Sequence, residues 1–105
     1  VYAEISAFGS TGPMAMSPGY EPLVQAFSGL SSTNGGPDDP PMRSAASMCD
    51  QGSGMWALIG ALALLQRRHQ TGRGGIVQTS LLETALVWNG QKADAYVNSF
   101  AIKKA

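Results

Sequence analysis

The stretch that most constrains this chain is Gly54-Met-Trp-Ala-Leu-Ile-Gly-Ala-Leu-Ala-Leu-Leu65, 12 residues without a charged or strongly polar side chain. A helix over this run is apolar on every side and is expected to be buried. It falls well short of the roughly 20 apolar residues a membrane span needs, and it ends in Gln66-Arg67-Arg68-His69. It reads as a core helix, so the remaining elements must be those that can cover it.

Just upstream stand Asp50, Gly52 and Gly54. With the helix placed at about residues 50–69, Asp50 would accept hydrogen bonds from the free N–H groups of the first turn and face the positive end of the macrodipole, and both effects favour its ionised form. One reading makes Asp50 simply an N-cap, worth about 1 kcal/mol. The other takes the glycines into account. Gly52 and Gly54 each give up roughly 1 kcal/mol of helix propensity relative to alanine, unless the helix starts after them or something must approach the backbone closely. A carboxylate, a backbone open to close approach and a helix start coincide here, and this makes a candidate active-site corner.

With 105 residues and 44% hydrophobic content the chain suits one small domain, while 13 Gly and 6 Pro imply many loops. A formal net charge of zero offers no electrostatic footprint for nucleic acid or an anionic membrane, so neither is expected as a partner. The single cysteine, Cys49, excludes an internal disulfide and a cysteine-rich metal site, and no base stands near it in sequence to activate it; no metal is expected. The chain opens without a signal peptide or lipidation motif, so the cytoplasm is the expected compartment. It also opens without an initiating Met on a strand-like run, which points to a piece of something longer.

Residues 1–8 alternate and are rich in strand formers, which predicts a buried strand ended by Gly9-Ser-Thr-Gly-Pro13. Residues 20–27 fit a short helix with Pro22 in its first turn and Gly29 past its end. Glu21 reads as a first-turn dipole residue. The glycines and prolines of residues 31–41 predict a loop without a regular element, and residues 42–47 a connector into the central helix. Gly72 suits a left-handed C-cap, with Arg67 and Arg68 complementing the negative helix end. A second strand is expected at residues 75–80. A helix follows at residues 81–88, with Ser80 and Glu83 as a capping box. Residues 91–105 read as a helix end or frayed tail, in which Tyr96, Val97, Phe100 and Ile102 are available for docking. Strands alternating with helices make the fold class α/β. Two strands are few for a stable sheet, so the segment either pairs with strands from elsewhere or self-associates.

Several motifs in register then carry a resemblance. Ile5-Ser-Ala-Phe-Gly-Ser-Thr-Gly-Pro13, Pro18-Gly-Tyr-Glu21, Gln25-Ala-Phe-Ser-Gly-Leu30, Pro41-Met-Arg43, the segment from Asp50 to Gly60, Arg68-His-Gln-Thr-Gly-Arg-Gly74 and Ser80-Leu-Leu-Glu-Thr-Ala85 follow the order and spacing of family III coenzyme A transferases. This family includes formyl-CoA transferase, carnitine CoA-transferase and the alpha-methylacyl-CoA racemases. The resemblance covers residues 1 to 88 and implies a fragment of a Rossmann-like large domain, in a protein whose two subunits thread through each other as a homodimer. It implies acyl-CoA and carboxylic acid substrates and no cofactor, coenzyme A itself being a substrate. It makes Asp50 the nucleophile that passes through an aspartyl-CoA thioester, with Gly52, Gly54, Tyr20 and Glu21 as substrate-binding residues.

The resemblance also implies a second reading, an alpha-methylacyl-CoA racemase or epimerase-type member. Those enzymes use a His, in a Gly-His-Asp motif ahead of the first helix, with the later Asp to move a proton at the carbon alpha to the thioester, and here Tyr20 occupies the His position. A tyrosine phenol is a poor base at neutral pH. His69 lies 19 residues along the helix from Asp50, nearly 30 Å away at about 1.5 Å per residue. A third expectation is a catalytically inactive α/β module in which Asp50 is only a cap. The chain departs from the family pattern at Gly75, Gln78 and Pro22, positions that bear on packing. The family's CoA-nucleotide strands and its glycine-rich covering loop lie outside this sequence.

Overall fold

The computed structural model describes residues 1–99, in which two parallel strands and three helices alternate as an α/β unit. Strand β1 (Tyr2–Ser6) pairs with β2 (Ile76–Ser80) in continuous register from Tyr2 opposite Ile76 to Ser6 opposite Ser80. Between them run α1 (Glu21–Phe27), a 3₁₀ turn (Leu30–Thr33) and the long α2 (Met48–Thr71). Helix α3 (Leu81–Ser99) leaves β2 directly.

Local chemistry accounts for most boundaries. Pro22 sits in the first turn of α1, where its missing N–H costs nothing. Gly72 closes α2 at φ 70°, its N–H donating to Arg68 O at 2.8 Å. Ser80 and Glu83 start α3, the Glu83 N–H donating to Ser80 Oγ at 3.2 Å. The Ser80 hydroxyl in turn donates to the Glu83 carboxylate at 2.8 Å, a variant of the capping box in which side chain meets side chain.

The core sits at one end of the molecule. Ala7, Phe8, Val24, Leu30, Cys49, Leu81 and Ala85 form one buried cluster, which joins the end of β1, helix α1 and the first turns of α2 and α3. Phe8 and Phe27 meet edge to face at 5.2 Å between ring centroids. Gly60 lets α2 lie against β2, since a Cβ there would stand 2.7 Å from Val77 Cγ1.

Three expectations change. The apolar helix is covered on one side only: Met55, Leu58, Ile59 and Leu62 are exposed, the last at 57%. Strand β1, expected to be buried, is exposed over Tyr2 to Ile5, in a sheet that has two strands among the described residues. The loop at residues 31–41 begins with regular structure. Ser32 and Thr33 hydroxyls donate to the Gly29 and Leu30 carbonyls at 2.7 and 2.8 Å and stabilise the 3₁₀ turn. Residues 91–99 are the end of helix α3, which runs on through Asn89-Gly90 and is anchored by Asn89 Nδ2 on Ser28 O at 3.1 Å and Lys92 Nζ on Thr33 O at 3.3 Å. Tyr96 and Val97 remain exposed, and Phe100 and Ile102 lie outside the described residues.

Candidate active site at the start of helix α2

The first turn of α2 has four N–H groups to satisfy, and the structure accounts for each. Met48 N–H donates to Ala46 O at 2.9 Å, and Gln51 N–H to Ser47 O at 3.0 Å. The two between them go to another helix: Cys49 N–H and Asp50 N–H donate to the two carboxylate oxygens of Glu21, at 3.0 and 2.7 Å. Ser47, at the N-cap position, makes no capping bond through its side chain.

This corrects the expected role of Asp50. Helix α2 starts two residues earlier than the sequence indicates, so Asp50 is the third residue of the first turn and caps nothing. Its carboxyl group is exposed and accepts no hydrogen bond among the described residues. The amides that would have stabilised its charge are held by Glu21. Partial burial, and then the repulsion of the Glu21 carboxylate, move the Asp50 pKa above the ordinary aspartate value, opposite to the direction expected from the helix end.

Glu21 is corrected as well. It is buried, at 5% exposure, with both oxygens committed to the backbone of α2. Burial pushes its pKa up, but the Cys49 N–H, the Gln25 amide and the Asp50 N–H together outweigh that, and the net shift is downward. Gln25, fully buried, donates to Glu21 Oε1 at 2.7 Å and accepts from Ser44 N–H at 2.7 Å. Sequence reasoning missed this Gln25 relay, whose only local signal is the four-residue spacing from Glu21.

The other expected site residues divide. Gly52 is buried under α3: a Cβ there would stand 2.6 Å from Thr84 Cγ2 and 3.0 Å from Trp88 Nε1, so its close approach is to a helix of this chain. Gly54 has nothing within 4 Å of a built Cβ, which leaves its backbone face open. Tyr20, at the N-cap of α1, is 66% exposed and directly precedes Glu21. Cys49 is fully buried, and burial followed by the Glu21 and Asp50 charges pushes its thiol up to about 12. It is no nucleophile at neutral pH. His69 lies in the last turn of α2, far from Asp50.

Two clefts border the sheet. One of about 300 Å³ lies between Trp56, Ser80, Thr84 and Val87; another of about 350 Å³ opens at the ends of β1 and β2, among Ser6, Gly9, Thr11 and Thr79. Among the described residues no group of three or more His, Cys, Asp or Glu is placed to hold a metal, and no helix is long and apolar enough to cross a membrane.

Comparison with known proteins decides the family, because residues 1–104 match CoA-transferase family III. The chain belongs to that family. It is 37% identical over 89 residues to acetyl-CoA:oxalate CoA-transferase of Acetobacter aceti, a match that covers 84% of this chain and 23% of the relative. It is 33% identical over 97 residues to succinyl-CoA:glutarate CoA-transferase of Mus musculus, covering 92% of this chain and 22% of that protein. The crystal structure of a CAIB/BAIF family protein from Brucella suis superposes with a TM-score of 0.91 at 28% identity, over 99% of this chain and 28% of that one. This family III segment therefore spans less than a quarter of the curated relatives it matches.

Proposed function

We propose that this segment carries the nucleophile of an acyl-CoA transferase that moves coenzyme A between carboxylic acids, and that Asp50 is that nucleophile. The observation that carries the reading is an exposed carboxylate in the first turn of α2 whose own backbone N–H is held at 2.7 Å by a second, buried carboxylate. Asp50 is exposed, unpartnered in its side chain among the described residues and fixed at its backbone, which suits covalent catalysis.

The chemistry balances without a proton donor. An Asp50 oxygen attacks the thioester carbonyl of the donor, the carbon–sulfur bond breaks, and a mixed anhydride and CoA thiolate result. The thiolate attacks the aspartyl carbonyl and releases the donor acid, leaving an aspartyl-CoA thioester. The acceptor carboxylate attacks that thioester, and returning CoA thiolate cleaves the new anhydride on the acceptor side to give the new acyl-CoA and free Asp50. In this reading Tyr20, at the N-cap of α1, and the open backbone at Gly54, in the second turn of α2, contact substrate. The relatives named above use oxalate or glutarate with their acyl-CoA, which makes a dicarboxylic acid the acceptor class to try first.

The test follows the oxygen. With an ¹⁸O-labelled carboxylate acceptor, one acceptor oxygen stays on Asp50 after a turnover, so the peptide containing Asp50 gains heavy oxygen. A peptide that stays unlabelled while CoA is transferred contradicts the proposal.

A further inference from the structure

We propose that Glu21 is a positioning residue for this reaction: its carboxylate holds the backbone of Cys49 and Asp50 and so sets where the Asp50 side chain points. The inference rests on Asp50 being the nucleophile. Three observations carry it. Glu21 is buried without an ion-pair partner among the described residues, and its charge is met by the α2 backbone N–H groups of Cys49 and Asp50, by the Gln25 amide and by the Cys49 thiol. Burying a carboxylate costs several kcal/mol, whereas capping a helix takes about 1 kcal/mol from a serine or threonine. Ser47 stands at the N-cap and is not used for this. Helix stability alone does not explain a buried anion where a hydroxyl was available.

The hold is also braced. Gln25 Nε2 donates to Glu21 and, at 3.4 Å, to Ala46 O, while its Oε1 accepts from Ser44 N–H. One buried amide thus ties α1, the connector into α2 and the Glu21 carboxylate into a single unit. Asp50 itself projects outward from this unit, with its N–H at one end of the shortest of the bonds to α2. Of the groups facing Asp50, Glu21 from α1 is the charged one; Cys49 on the same helix is a neutral thiol, and α3 presents the indole of Trp88 to Met48 O.

The experiment uses the full-length enzyme that carries this segment, with Glu21→Gln and Glu21→Asp variants. Single-turnover formation of the Asp50 adduct is followed at saturating acyl-CoA as a function of pH, beside KM and thermal melts. Glu21→Gln keeps one acceptor oxygen but turns an NH₂ toward a backbone N–H. It should slow acylation about 10- to 100-fold, the scale of a misplacement near 1 Å. KM should stay within about two-fold, and the midpoint of the pH profile should move down, because Asp50 no longer faces a negative charge. Should Glu21→Gln fail to fold, Glu21→Asp gives the same reading: it retains the charge on a shorter stem, so acylation slows with the midpoint unmoved. A folded variant that acylates within about two-fold of wild type, or whose loss lies wholly in KM, overturns the inference. An adduct that persists in Asp50→Asn overturns instead the assignment of Asp50.

Discussion

A buried glutamate and an exposed aspartate three bonds from its grip respond to acid in opposite ways. The Glu21 pKa is depressed in the folded state, so the stability it contributes is present above its unfolded value and is lost as pH falls through the folded one. The Asp50 pKa is raised, so that carboxylate opposes folding slightly at neutral pH and ceases to once protonated. Glu21→Gln should therefore lower the melting temperature near pH 7 and flatten its fall between about pH 5 and 3, a comparison made by thermal melts across that range. Asp50→Asn should melt no lower than wild type. Cys49, with its thiol pushed up to about 12, should react with thiol reagents only on unfolding, and labelling of the native chain would contradict its burial. The sequence marks Asp50 as the residue of interest but assigns the cap to it. The true acceptor lies 29 residues away on another helix, beyond the reach of any local capping pattern.

At the scale of elements, two glycines on one helix turn out to serve different purposes. Gly52→Ala places a methyl 2.6 Å from Thr84 Cγ2 and should destabilise by roughly 1–3 kcal/mol, as overpacking between helices does. Gly54→Ala meets nothing within 4 Å and should stabilise by up to about 1 kcal/mol through helix propensity. If acyl-CoA approaches the backbone there, the same variant transfers CoA more slowly while melting higher. Denaturant titration of both variants separates packing from access. Spacing alone shows that both positions need a small residue; which one faces α3 depends on how the helices cross. Elements whose signals are local were legible: the Pro22 start of α1, the Gly72 stop of α2, and the Ser80–Glu83 start of α3. What anchors α3 past Asn89 was not, because Asn89 and Lys92 reach carbonyls about 60 residues earlier.

For the whole molecule, the apolar run predicts a helix buried on every side, whereas this segment covers one side and leaves Met55, Leu58, Ile59 and Leu62 open. Both strands also keep an unpaired edge. The 105-residue chain on its own should bind a hydrophobic dye and associate with rising concentration in sedimentation, and lysines at Leu58 and Leu62 should weaken both. A dye-silent, concentration-independent monomer would contradict this account of the surface. The fold class was legible because helix and strand periods alternate. The extent of burial was not, because apolar spacing shows which residues can be covered and not which neighbours cover them. The central claim concerns one side chain, and one measurement reaches it most directly. The full-length enzyme is incubated with acyl-CoA, quenched, digested and mapped by mass spectrometry with and without hydroxylamine. A hydroxylamine-sensitive CoA or acyl adduct on Asp50, absent in Asp50→Asn, is the predicted result; turnover with Asp50 unmodified, or an adduct on another residue, would contradict it.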